Sequence, residues 1–431
     1  MLVRVERDRA YADLTLHADL ERSALDRRDR AWATELTYGT LRMRGRLDAA
    51  LVQVLDRPLK ALELEVRNVL RLGAYQVLAV DKLAPAIAVS ETVELTHQLR
   101  LDRSTAMVNA VLRQLAKRAP TLAFASLSED PVAHIRDWGS LPEWLAKRWI
   151  EQFGAEEAAE LALSSLRQPP KTVRVSPGAQ LSAVARRLSG RPCRYAPSGI
   201  TDIQRDPISD PGFLRGEFTV QDEASQLVPL LLGAKEGDRV VDCCAAPGTK
   251  TMQLAQQVGP RGEVIALDRH GSRVPLINSA ARRLGLRNVR ALERDVVQGF
   301  DLQGPMRFRA ILLDAPCSGL GTLRRNPDAR WAVRPSDIPY NAQLGLSLLR
   351  SAARYLLPDG VLVYSVCTHT PEETVGVMQQ FLDEHPDFRR DDPRPWLPGA
   401  AHELVDSDEA LRTLPHRHGC DGFFAQRLIR T

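Results

Sequence analysis

The chain is 431 residues long, 44% hydrophobic and 26% charged, a composition that excludes wholesale disorder and low-complexity chains and, at roughly 100 to 200 residues per domain, predicts several domains. Its longest apolar stretch, around Leu227 to Leu232, is broken by Pro229, and its start, MLVRVERDRA, is charged; neither a membrane-spanning helix nor a signal peptide is expected, so the reading is a cytoplasmic protein without membrane association. The formal net charge of +4 lies entirely in residues 1–120, which hold 20 Lys+Arg and 16 Asp+Glu, because the remaining residues hold 38 of each sign (58 minus 20; 54 minus 16).

From the start to about residue 118, apolar residues recur at helical spacing: Leu62, Val66, Val69, Leu70 and Val77, then Val89, Val93 and Thr96, then Met107, Val111 and Leu115. Strand alternation is absent. Gly39, Gly45, Pro58, Gly73 and Pro85 punctuate the pattern, predicting five or more helices in an all-α bundle over 1–120. Pro120, Pro131 and Pro142 among Ser and Asp predict a linker over 121–142. Helical periodicity from Pro142 to Leu166 and mixed signals thereafter predict a small α+β section over 143–215.

From 216 to 431 apolar strands alternate with helices, at Arg239–Asp242, Glu263–Asp268, Val289–Leu292, Ala310–Asp314 and Val361–Ser365. That order predicts a parallel, doubly wound α/β sheet, in which ligands bind beyond the carboxyl ends of the strands. The first strand runs into Cys243-Cys244-Ala245-Ala246-Pro247-Gly248-Thr249-Lys250, small residues that let backbone amides approach a ligand. This loop is neither G-x-G-x-x-G nor a P-loop, which disfavours a pyrophosphate cofactor. Acidic residues end the first three strands, at Asp242, Asp268 and near Asp295. They suit a ligand with ribose and an amine but no phosphate, S-adenosyl-L-methionine, although any one Asp could simply cap a helix.

The fourth strand delivers Asp314-Ala315-Pro316-Cys317 and the fifth Tyr364-Ser365-Val366-Cys367, so two thiols and a carboxylate meet at neighbouring strand ends. Thr370-Pro371-Glu372-Glu373 reads as a capping box, placing a helix N-terminus three residues beyond Cys367, where it favours the thiolate. A pyrimidine is a poor nucleophile at C5; a thiolate adding at C6 makes C5 electron-rich, and a carboxyl group near N3 and the amine polarises the ring. Either Cys alone is as well explained as a small hydrophobe. The six cysteines form no C-x-x-C pair and argue against disulfides, and His416-x-His418-x-Cys420 reads as loop chemistry, so no metal is expected.

The stretches CCAAPGTK, DAPCSGLGT, RRNPDARW, YSVCTHTPEE and GCDGFFAQRL resemble the ordered motifs of RNA cytosine-5 methyltransferases, with a Rossmann-like class I methyltransferase fold. The resemblance implies that Cys367 is the nucleophile, that Cys317 assists release of the methylated product and that Asp314 polarises the cytosine. By spacing alone Cys317, in a Pro-Cys pair like that of the DNA enzymes, would be the nucleophile. The resemblance also implies cofactor contacts from Cys244, Ala245, Ala246, Pro247, Gly248, Thr249, Lys250, Asp268, Asp295 and Asp314. Thr249 stands where the family commonly has a second Gly, and Thr368-His369 where Ser and an aliphatic residue are frequent.

Arg28-Asp29-Arg30, the stretch from Glu35 to Arg42, Arg71 to Gln76 and Val108 to Arg113 resemble the RNA-binding helical domain shared with the antitermination factor NusB. That fusion implies 16S ribosomal RNA as partner and substrate, for a chain taken to act as a monomer. The same chemistry on tRNA or 23S rRNA, or a non-catalytic RNA-binding assembly factor, are the alternatives. Arg324, Arg325 and Arg330 are expected to hold RNA phosphates or the neighbours of a flipped cytosine. Arg42, Arg44 and Arg46 could face RNA or water, and Trp331 could stack on a base or pack in a core.

Overall fold

A computed structural model describes residues 1–300 and 307–431. They form two units, one of Met1–Gln168 with Leu323–Arg334, the other of Pro169–Thr322 with Pro335–Thr431. No helix of the described residues is long and apolar enough to cross a membrane.

The first unit is all helical. Six helices run through its N-terminal part: α1 (Leu2–Asp8), α2 (Ala12–Glu21), α3 (Arg27–Val52), α4 (Leu64–Ala79), α5 (Pro85–Gln98) and α6 (Asp102–Arg118). Val66, Val69, Leu70, Val89, Val111 and Leu115 are buried in their common core, with Leu62, Val77, Val93 and Met107 packed against it. The periodic apolar faces of the sequence are thus the faces that meet. Gly39 and Gly45 do not break the chain as expected but lie inside α3, and Gly73 lies inside α4. A Cβ on Gly39 would come within 2.0 Å of the Tyr75 ring, so this glycine permits close helix packing rather than a turn.

The expected linker is partly helical, with Pro131–Ala133 leading into a wide π-type turn at His134–Trp138. The helices Glu143–Phe153 and Ala155–Ser165 follow, divided by Gly154. Through Gln168 all of this belongs to the first unit, so the section expected over 143–215 is split between the units.

The second unit opens with a small antiparallel sheet of β1 (Val173–Val175), β2 (Arg191–Pro192), β3 (Gly199–Thr201) and β4 (Phe218–Val220), in the order β2-β3-β1-β4. The large sheet contains β5 (Arg239–Cys243), β6 (Glu263–Asp268), β7 (Val289–Glu293), β8 (Phe308–Asp314), β9 (Leu356–Val366), β10 (Phe388–Arg390), β11 (Ala410–Thr413) and β12 (Phe423–Arg430). Its order is β10-β12-β9-β8-β5-β6-β7, with β11 also paired to β12. The five strands expected from the sequence are parallel. The sheet as a whole is mixed, because β12 runs antiparallel to β9, β10 and β11. β5 lies between β6 and β8, so the chain reverses its winding there, and the loops after β5, β8 and β9 open at one end of the sheet.

Candidate active site

After β5 the backbone turns through Cys244, at φ 60°, and Gly248, at φ 105°, before the helix Thr249–Val258. Only glycine adopts the second value without strain. The Asp268 carboxylate, at the end of β6, accepts from the N–H of Ala246 at 3.1 Å and of His270 at 2.9 Å, so it shapes the loop that it adjoins. Asp295 is half-buried and accepts from the Val297 N–H at 3.0 Å, a short cap. A cavity of about 30 Å³ is lined by Cys244, Asp295 and Pro316 among others, which brings three loops to one place.

Asp242 does not face that opening. It is 1% exposed and accepts from Thr251 Oγ1 at 2.6 Å, while its Oδ1 has no partner. Burial, against the Thr251 hydrogen bond, pushes its pKa up to about 7.

Asp314 is held from both sides. Lys250 Nζ donates to Oδ2 at 2.6 Å and Ser365 Oγ to Oδ1 at 2.6 Å. The pairing follows from register, because β8 places Asp314 opposite Ser365 of β9. Burial works against the charge of Lys250, yet the adjacent Asp314 carboxylate, with the Cys367 sulfur, raises its pKa above the usual lysine value. The lysine is thus a fixed cation of the site, committed to Asp314 within the loop expected to touch cofactor.

Cys317 and Cys367 come together as expected, with their sulfurs 3.5 Å apart. The hydrogen bond to Cys367, followed by burial and the Cys367 and Glu373 charges, lifts the Cys317 thiol well above the usual range. Either sulfur can be the donor in this contact, and the raised Cys317 thiol favours its protonated form.

The capping box forms differently from expectation. Helical structure starts at Glu372 as a π-type turn and continues as Val377–Glu384. The Glu373 side chain does not reach back to the Thr370 N–H. Its carboxylate accepts from the Ser318 N–H at 2.6 Å, the Ser318 hydroxyl at 2.6 Å and the Thr370 hydroxyl at 2.5 Å. Sequence reasoning saw only a helix start here; the signal it could have used is a second acidic residue six positions beyond the nucleophile, with hydroxyls on both cysteine loops.

The residues expected to touch RNA divide. Arg330 has no exposed surface and belongs to the helical unit. It donates to the carbonyls of Arg42 and Ser140 through Nη1 and of Ser165 and Leu323 through Nη2, at 3.0 to 3.2 Å. Burial, then the Arg42 charge, lowers its pKa to about 9. Contrary to the expected RNA contact, Arg330 is placed as a structural anchor, because both of its Nη groups are spent on internal carbonyls, while its buried Nε has no partner. Arg324 is buried as well, and Arg325 is half-buried. Trp331 packs in the same unit, its indole N–H donating to the Leu41 carbonyl at 2.8 Å.

The basic triplet of α3 is also turned inward. Arg42 is buried, Arg44 pairs with Glu6 at 3.1 Å, and Arg46 donates to the Trp138 carbonyl with its guanidinium 3.7 Å from the ring of that residue. Near the C-terminus, His418 Nδ1 accepts from the Leu414 N–H at 2.8 Å within a turn.

Residues 229–429 match the family described as 16S rRNA methyltransferase RsmB/F, and residues 1–117 match the NusB family. A ribosomal RNA small subunit methyltransferase B from Thermus thermophilus is 36% identical, over 100% of this chain and 96% of that protein. One from Pseudomonas putida is 31% identical, over 100% and 96%. A methyltransferase homolog protein from Pyrococcus horikoshii superposes with a TM-score of 0.57 at 28% identity, covering 68% of this chain and 97% of the other. With a helical NusB domain ahead of a mixed-sheet, Rossmann-like methyltransferase domain, the chain belongs to the S-adenosylmethionine-dependent ribosomal RNA small subunit methyltransferase B family.

Proposed function

We propose that this protein methylates C5 of a cytosine in 16S ribosomal RNA through a covalent bond between Cys367 and C6. The observation that carries the reading is the sulfur pair, 3.5 Å apart beside a doubly held Asp314.

The residues at the strand ends fit S-adenosyl-L-methionine. Asp268 and Asp295 each keep lone pairs after their backbone bonds, and the nearest lysine is committed to Asp314. That donor set suits ribose hydroxyls and an ammonium group, not phosphate. When bound, the cofactor supplies an electrophilic methyl group. The loop Cys244 to Lys250, with Asp268 and Asp295, binds and orients it.

The chain's own steps follow from charge and geometry. Cys367, near the Lys250 cation, attacks C6 as a thiolate, and the displaced electron pair makes C5 nucleophilic. Asp314 keeps its remaining lone pairs for the exocyclic amine of the ring. After C5 carries the methyl group, loss of its proton to a base returns an electron pair to the ring and expels the Cys367 sulfur. Cys317, kept as a thiol, donates its hydrogen bond to the departing sulfur and so assists release. The helical domain over 1–120 holds the RNA, with the half-buried Arg325 proposed to contact a phosphate.

The test is incubation with methyl-labelled cofactor and unmodified 16S RNA, followed by bisulfite sequencing. Label in cytosine at one protected position supports the reading; no label in deproteinised RNA favours an assembly factor. In the same assay Cys367→Ala should abolish turnover, while Cys317→Ala should accumulate an RNA-linked protein band. A band that appears with Cys367→Ala instead would reverse the two roles.

A further inference from the structure

The buried carboxylate of Glu373 belongs to neither the cofactor loop nor the sulfur pair, yet it bonds to both cysteine-bearing loops. It is 1% exposed. From the β8 loop, the N–H and hydroxyl of Ser318, next to Cys317, each donate to it at 2.6 Å. From the β9 loop, the hydroxyl of Thr370 donates at 2.5 Å, and that of Thr368, next to Cys367, lies 3.5 Å away. Ser318 Oγ and Thr368 Oγ1 are themselves 2.8 Å apart, closing a hydroxyl chain between the loops. The Tyr364 hydroxyl donates to the Glu373 carbonyl at 2.8 Å and fixes the backbone beneath.

Hydrogen bonds to a charged acceptor are about twice as strong as neutral ones, and this carboxylate spends them on the residues that neighbour the two sulfurs. A helix cap needs only one such bond. We propose that Glu373 is a positioning residue for the reaction: it clamps the Cys317 loop to the Cys367 loop and so sets the contact through which one thiol controls the other. The clamp rests on the functional reading above for its purpose, but its physical effect on the sulfurs needs no RNA.

The experiment is therefore alkylation of the full-length protein by iodoacetamide at pH 7, with the rates at Cys367 and Cys317 read separately by peptide mass spectrometry. The expected result for the native protein is faster alkylation at Cys367 than at Cys317. Replacing Glu373→Gln removes a charge worth about one to two factors of ten in a charged hydrogen-bond network, so the Cys367-to-Cys317 rate ratio should fall by about tenfold or more. Ser318→Ala, which keeps the backbone bond but loses both hydroxyl contacts, should lower the ratio by a smaller factor. It carries the test alone if Glu373→Gln does not fold.

Ratios within about twofold of the native value in every folded variant would overturn the clamp. A parallel reaction with 16S RNA and cofactor separates this from the chemistry. A shifted ratio with no RNA adduct in any variant, Cys317→Ala included, leaves the clamp standing and sinks the cytosine reading. An unchanged ratio with normal methylation does the reverse.

Discussion

Two segments of the same family-matching region, DAPCSGLGT with YSVCTHTPEE on one side and RRNPDARW on the other, look equally functional in sequence and do opposite work. In the first, Cys317, Cys367 and Asp314 are only partly buried, and Asp314 keeps lone pairs beyond its two side-chain bonds. In the second, Arg330 spends both Nη groups on four carbonyls and Trp331 spends its N–H on another. A motif tells which residues matter. Whether they matter to chemistry or to folding is settled by where their polar atoms are already committed.

The sharpest way to break that contrast is to remove one residue from each side. Cys367→Ala should lower methyl transfer by about 10³-fold or more, as loss of a covalent nucleophile does elsewhere, without moving the melting temperature. Arg330→Met should do the converse. Stranding four buried carbonyls costs about 3 to 5 kcal/mol, to be read as a lower urea midpoint for the helical signal. A normal midpoint with lost RNA binding would restore Arg330 as an RNA contact.

Within the second segment the expected contrast is smaller. Arg325→Ala should reduce the salt dependence of RNA binding by about one phosphate contact; an unchanged salt slope removes it from the interface.

The smallest effect concerns Asp242. Its folded pKa of about 7 lies above the ordinary aspartate value, so the stability it contributes is fully present below about pH 4 and lost as pH rises through 7. Asp242→Asn should therefore gain on the native protein as pH rises from 5 to 8 in thermal melts. A constant difference across that range would show that Asp242 does not titrate there.

Much of this was legible from residue order. The parallel strands lie where apolar runs end in Asp or Cys, and the helical core consists of the periodic positions, since burial is what selects the period. The antiparallel edge was not legible. β10 and β11 have three and four residues, and β12 matters by pairing with partners distant in sequence. Gly39 misled as a turn because close helix packing requires the same residue. At the site, Cys317, Cys367 and Asp314 could be found from strand ends. The hold of Lys250 on Asp314 and of Glu373 on Ser318 could not, because each crosses between loops that only the sheet order brings together.

The central claim is the bond between one sulfur and a pyrimidine. The direct measurement is to react Cys317→Ala with 16S RNA and cofactor, digest the linked species with nuclease and protease, and sequence the nucleotide-bearing peptide. The account predicts a methylated cytidine attached at Cys367. A nucleotide attached at any other residue, or methylcytosine released with no protein-linked nucleotide at any time, would contradict it.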